Sequence, residues 1–425
     1  MLPADPDLAA RCAGDGEFML LARHWSGSVV IAAGERRGRL VLEDGVPLSW
    51  APADGPTADG PGHVSLEAAQ PTWDRLLARC PGPFANDLVP AQALGLAIGG
   101  DRETFWQYYP ALRRLVDLLR AEGDDSGAPH PTSAVGDAGP AAVRFDSPVG
   151  RYVHLALEGR DHRVYFEEAG AGVPMLLQHT AGSHGVQWRH LFEDPWVTEH
   201  FRLIAYDLPF HGKSLPPSGE AWWSHPYRLT SAFAMSVPVA LASALELDRP
   251  VFMGCSIGGC LALDLARWHP EVLRAVVAVE PALKLEATPD LLEGFWHPRV
   301  SNEYKAHMMH GLMSPSSPEA YRRETVFAYS QGWPPAFSGD LHYYLEDHDL
   351  REEAAGIDTA SVAVHLLSGE YDYSATVGHG EAAHRAIPGS TFTAMTGLGH
   401  FPMSEDPARF MEYLRPVLAS ILDAP

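Results

Sequence analysis

The larger part of this 425-residue chain is predicted to be α/β, an eight-stranded, mostly parallel sheet with helices on both faces, preceded by a small α+β domain. Three observations predict it. From Val143 onward, short apolar runs alternate with longer helical periods, as expected when strands are buried on both sides. The apolar run Pro250 to Met253 passes through Gly254-Cys255-Ser256-Ile257-Gly258 directly into a helical period, so a strand turns sharply into a helix at a serine. Residues 121–142 are Gly, Pro, Ala and Asp with almost no large apolar group. Such a stretch buries too little surface to offset the entropy of ordering and reads as a linker between domains 1–120 and 143–425.

In the first domain, Ser28 to Ile31 and Gly38 to Leu42 are apolar runs of strand character, the second entering a turn at Glu43-Asp44-Gly45, which predicts a hairpin or meander. Helical periods follow at Trp73 to Arg79 and Phe105 to Leu119, with Leu112, Leu115, Val116 and Leu119 on one face. In the second domain the strands are expected at Val153 to Leu157, Arg163 to Glu167, Met175 to Gln178, Leu203 to Asp207, Val251 to Gly254, Ala275 to Glu280, Val362 to Ser368 and Thr391 to Met395. Helices fit Thr230 to Leu247, Ile257 to Trp268, Gly378 to Ala386 and Pro407 to Leu422. Between Pro281 and Asp358 the strand pattern stops, and the segment is rich in Met, His, Trp, Tyr and Phe at helical spacing.

Composition narrows the partners. A net charge of -23 disfavours nucleic acid or an anionic membrane, since either needs a basic face to replace counterions. No uninterrupted apolar run is long enough to span a bilayer. Cys12, Cys80, Cys255 and Cys260 are too few for a disulfide framework and read as small core residues. The start, Met1-Leu2-Pro3-Ala4-Asp5-Pro6-Asp7, lacks the basic and apolar regions of a secretion signal, so a cytoplasmic location is expected.

The chemistry centres on Ser256. With no Cβ at Gly254 and Gly258 the backbone can close around a strained serine and lift its hydroxyl clear of the sheet. A serine hydroxyl needs a base to take its proton. His400, in Gly397-Leu398-Gly399-His400-Phe401-Pro402 between the last strand and the last helix, is the candidate. The imidazole in turn needs a carboxylate to hold its tautomer. The sequence offers two candidates, Asp372, in Ser368-Gly369-Glu370-Tyr371-Asp372, and Glu280, in Val279-Glu280-Pro281.

Together with Asp207-Leu208-Pro209-Phe210-His211-Gly212-Lys213-Ser214, these motifs resemble, in the same order, those of the α/β-hydrolase family. That resemblance implies an α/β-hydrolase fold, a Ser-His-acid triad with Asp372 as the acid and Glu280 as the alternative acid, and a helical cap at about 283–358. It also implies two backbone donors for the oxyanion: Ile257, directly after the nucleophile, and Ala181, in Gln178-His179-Thr180-Ala181-Gly182. Thr180 stands where the family has glycine, and is expected to add a side-chain donor or to cap a turn. Gly254-Cys255-Ser256 and Glu280-Pro281 are similar to the elbow and sixth strand of zearalenone-type lactonases, from which the chain departs in retaining Asp372. The strand-turn-strand around Asp44-Gly45 and the closing amphipathic helix are similar to sterol-carrier-type lipid-binding domains, with a packing or oligomerisation module as the alternative.

His307, His310, His342, Asp347 and His348 have no recognised metal spacing and are expected to line a pocket, so neither metal nor cofactor is expected. Trp222, Trp223, His225 and Tyr227 are expected to stiffen a loop or wall a cleft, and Trp296, Tyr304, Met308, Met309, Tyr329, Trp333, Tyr343 and Tyr344 to do the same in the cap. The reading is a serine hydrolase of an ester or lactone of a hydrophobic small molecule, acting through an acyl-enzyme. Alternatives are carbon–carbon bond hydrolysis, amide or carbamate hydrolysis, and a non-catalytic ligand receptor on the same fold. A second copy of the chain is a candidate partner. Epoxide hydrolase and dehalogenase chemistry is disfavoured by serine at position 256, where those relatives carry aspartate.

Overall fold

The computed structural model describes residues 7–53, 60–120, 143, 145–286 and 292–424. The chain forms two compact units, Met1–Ser147 and Pro148–Pro425. The segment read as a linker, residues 121–142, lies outside the described residues.

The first unit holds strands β1 (Gly27–Ala33), β2 (Arg36–Glu43), β3 (Val46–Pro52), β4 (His63–Ala68) and β5 (Ala97–Gly100) in the order β3-β2-β1-β4-β5. The expected hairpin signal is the β2–β3 turn, where Asp44 and Gly45 both take positive φ, 45° and 80°. β1 pairs antiparallel with β2 but parallel with β4. β4 and β5 go unseen in the sequence because β4 finds its partner across a long connection and Ala97-Ile98-Gly99-Gly100 carries little strand character. The closing helix, Arg102–Arg120, buries Leu112, Leu115, Val116 and Leu119, the face the spacing predicts.

The second unit is built on β6 (Val149–Leu157), β7 (Arg160–Ala169), β8 (Val173–Gln178), β9 (Phe201–Tyr206), β10 (Val251–Cys255), β11 (Ala275–Val279), β12 (Ala363–Gly369) and β13 (Thr391–Met395). Their order is β13-β12-β11-β10-β8-β9-β7-β6. β8 to β13 pair in parallel, and β6 and β7 add an antiparallel edge. Every residue of β10 and β11 is buried, which explains their unbroken apolar runs. Met175, Leu177, Met253, Val277 and Leu367 meet Phe410 and Leu414 of the helix Pro407–Asp423 in one core. Glu280 and Asp207 lie one residue beyond their strands rather than at their last positions.

Between β11 and β12 the described residues form no strand. Helices Glu303–Gly311, Glu319–Ser330 and Pro334–His342 and the π turn Tyr343–Asp347 occupy that stretch. The chain order reverses around β10, which has β11 on one side and β8 on the other. The carboxyl ends of such strands open a crevice where loops from both directions meet.

Candidate active site

β10 runs through Gly254 and Cys255 into Ser256, and the helix Ile257–Trp268 begins at the next residue. Ser256 sits at φ 60°, ψ -116°, a conformation that costs a residue with a Cβ of order 1–3 kcal/mol. The neighbouring glycine makes the turn feasible. A Cβ on Gly254 would lie 2.4 Å from the Gly258 carbonyl oxygen, so no side chain fits where the two limbs of the elbow cross. Ser256 is buried.

His400 is brought to this turn from the loop between β13 and the last helix. The thiol of Cys255 donates to the His400 carbonyl at 3.1 Å, tying the residue before the serine to the histidine's own backbone. His400 Nδ1–H donates to Asp372 Oδ2 at 2.6 Å. The other Asp372 oxygen accepts from the backbone N–H of Ser374 at 2.7 Å and of Ala375 at 3.1 Å, which sets the carboxylate's orientation.

Glu280 takes a different place. Both of its oxygens accept from Gly369 N–H, at 2.8 and 2.9 Å, and its carboxyl also lies in hydrogen-bond contact with that of Asp372. Burial, followed by the repulsion of the Asp372 charge, pushes the Glu280 carboxyl well above the usual carboxylate range. The imidazole's hydrogen bond goes to Asp372, whereas Glu280 is engaged by Gly369.

Ala181 and Ile257 present backbone N–H groups without a hydrogen-bond partner among the described residues. The loop carrying Ala181 is fastened on both sides. Thr180 N–H and its hydroxyl both donate to Gln187 Oε1 at 3.0 Å, and the Thr180 hydroxyl also contacts the Tyr329 hydroxyl. Gly182 N–H donates to Asp340 Oδ2 at 2.7 Å. Thr180 thus neither offers a free side-chain donor nor caps a turn; its hydroxyl is held by Gln187 and Tyr329.

The Asp207 loop supports the same region. Asp207 Oδ1 and Oδ2 accept from Gly185 N–H and Lys213 N–H at 2.7 and 2.8 Å, and Ser214 Oγ donates to the Asp207 carbonyl at 2.7 Å. His179 donates from Nδ1 to the Thr180 carbonyl and accepts at Nε2 from Leu208 N–H, the pattern of a neutral ring, and burial pushes its pKa well below the ordinary value. His211 donates from both nitrogens, to the Pro209 carbonyl at 2.9 Å and to Asp340 Oδ2 at 2.8 Å. Burial opposes its charge, but Asp340 more than compensates and its pKa rises.

Apart from Tyr344, one of the cap aromatics singled out in the sequence, the further contributors carry no local signal there. Glu405 accepts from Gly399 N–H and Phe401 N–H on either side of His400, and its other oxygen accepts from Ser314 N–H and the Ser317 hydroxyl. One buried carboxylate thus fixes the histidine loop and joins it to the segment after Gly311. Tyr344 places its hydroxyl 3.4 Å from Ser374 Oγ and within reach of Ser256. Asp340 likewise enters only through contacts distant in the chain, to Gly182 and His211.

The histidines weighed as metal ligands are dispersed. His307 donates to the Glu303 carbonyl, His342 to Leu229, and His348 to Asp264 and to the Ala282 carbonyl, while Asp347 accepts from Ser231. Among the described residues no group of three or more His, Cys, Asp and Glu could hold a metal. Trp222 and Tyr227 pack with Phe210 and Trp333, whereas Trp223 and Trp296 are exposed. No helix among the described residues is long and apolar enough to cross a membrane.

Residues 173–306 match the family model described as alpha/beta hydrolase fold. The chain is 26% identical over 303 residues, 65% of its length, to 81% of an uncharacterized protein of Mycobacterium tuberculosis. It is 26% identical over 260 residues, 56% of its length, to 75% of a pimeloyl-[acyl-carrier protein] methyl ester esterase of Neisseria meningitidis. Among solved structures, a thermophilic esterase from Thermogutta terrifontis superposes with a TM-score of 0.55 at 21% identity, covering 64% of this chain and 99% of that one. An enol-lactonase from Burkholderia xenovorans superposes with a TM-score of 0.52 at 18% identity, covering 64% of this chain and all of that one. A mostly parallel sheet of this order, with a serine in the strained turn after its central strand and this family match across that turn, gives the part of the chain from Pro148 onward the α/β-hydrolase fold.

Proposed function

We propose that this hydrolase cleaves an ester or lactone of a small, largely apolar molecule through an acyl-enzyme on Ser256. His400 takes the serine proton during attack and returns it to the leaving group. Asp372 holds the imidazole with Nδ1 protonated, so that Nε2 is free to act as base. The N–H groups of Ile257 and Ala181 receive the charge that develops on the carbonyl oxygen. Water, activated by the same histidine, releases the acyl group. Glu280 is read as a neutral neighbour of Asp372, not as the triad acid. The helical stretch 283–358 is read as the cap, and residues 1–120 as an accessory module joined through 121–142.

The observation that carries this reading is the juxtaposition of a serine at positive φ with a histidine anchored to its neighbour and paired to a buried aspartate. The esterase and lactonase among the relatives support the ester or lactone class. Turnover of p-nitrophenyl hexanoate tests it. Ser256→Ala is expected to abolish turnover without lowering the melting temperature, and full turnover by a folded Ser256→Ala would overturn the assignment.

A further inference from the structure

Lys305 lies on the helix Glu303–Gly311 with 0% of its surface exposed, and its ammonium has no hydrogen-bond acceptor among the described residues. No carboxylate lies within ion-pair distance of it among the described residues. A buried cation without a hydrogen-bonded partner is costly, and burial, partly opposed by the Asp340 charge, pulls this one down to about 8. The charges around it do not cancel. Asp340 already accepts from Gly182 N–H, His211 and Tyr227. His211, donating from both nitrogens, carries the positive charge that balances Asp340. Lys305 is then one positive charge left over, with three donors to spend.

Its position gives that charge a use. A Cβ built on Gly332 would lie 3.2 Å from Lys305 Nζ and 2.4 Å from the Gly182 carbonyl oxygen, so the ammonium stands against the residue that follows Ala181. The Phe337 ring, 5.7 Å away, provides an apolar wall. A single monovalent donor group suits one carboxylate better than a doubly charged phosphate.

We propose that Lys305 anchors a carboxylate on the acyl part of the substrate, making this a hydrolase of monoanionic esters of dicarboxylic acids or of lactones carrying a free carboxylate. The proposal rests on the ester or lactone reading above and specifies its substrate. The probes are mono-p-nitrophenyl adipate and suberate, each compared with the neutral p-nitrophenyl ester of equal chain length, hexanoate and octanoate. The readout is the ratio of kcat/KM for the anionic over the neutral ester. In the wild-type chain at least one ratio is expected above one, and Lys305→Met is expected to lower it by roughly 10- to 100-fold, mainly through KM. Ratios below one for both pairs, or a ratio that Lys305→Met leaves unaltered, would overturn the proposal while the neutral esters continue to be turned over. If Lys305→Met fails to fold, the wild-type ratios alone decide. Turnover that survives Ser256→Ala would instead remove the serine-hydrolase reading, and the proposal with it.

Discussion

Replacing Asp372 by Asn tests the acid assignment most sharply, because the surrounding hydrogen bonds dictate how the amide must sit. Oδ1 accepts two backbone N–H groups, from Ser374 and Ala375, so the oxygen of Asn is retained there and the NH2 group must turn to His400. Nδ1 of the imidazole, which donates to Asp372 in the native chain, is then forced to accept. The ring's proton moves to Nε2, the atom that has to receive the serine proton, and general-base catalysis is lost. The expected fall in kcat is roughly 10⁴-fold, about 5 kcal/mol of transition-state stabilisation. The fold should survive because the two backbone hydrogen bonds do.

Glu280→Gln is the paired control. Its oxygen can still accept from Gly369 N–H, and its amide can donate to Asp372 as the neutral carboxyl does. A loss below roughly tenfold is expected, the scale of one hydrogen bond of altered quality. Steady-state hydrolysis of p-nitrophenyl hexanoate, with thermal unfolding of each variant, reads both. A 10⁴-fold loss in Glu280→Gln with little change in Asp372→Asn would reverse the assignment.

Two further substitutions probe the frame around the site. Gly254→Ala would place a methyl 2.4 Å from the Gly258 carbonyl oxygen and is expected to destabilise by about 3 kcal/mol, lowering Tm by roughly 6–12 °C and removing activity; an unshifted Tm would mean the elbow relaxes freely. Glu405, raised by burial to about 7 from 4.5, keeps its proton in the folded chain at pH values where the unfolded chain has released it. Its contribution to stability is therefore complete below pH 4.5 and declines by roughly 3 kcal/mol as pH rises to 7. Urea unfolding at pH 4.5 and 7.5 should show that decline in the native chain and its loss in Glu405→Gln; parallel profiles would refute it.

What the sequence by itself determined is the local frame. Unbroken apolar runs mark β10 and β11 because central parallel strands are covered on both faces, and Gly254 and Gly258 mark the elbow because a Cβ cannot be accommodated there. Ser256, His400 and two eligible acids are legible for the same reason, each standing at a strand end or in a loop of recognisable composition. The tertiary structure alone decided which acid meets the imidazole, since Asp372 and Glu280 both follow adjacent strands, and only the orientation imposed by Ser374 and Ala375 aims one of them at Nδ1. It alone revealed Glu405 clamping the backbone beside His400, and Lys305 buried without a hydrogen-bond partner among the described residues. Those contacts join residues far apart in the chain, and local periodicity, which records only which face of an element is apolar, holds no information about which distant charges become neighbours.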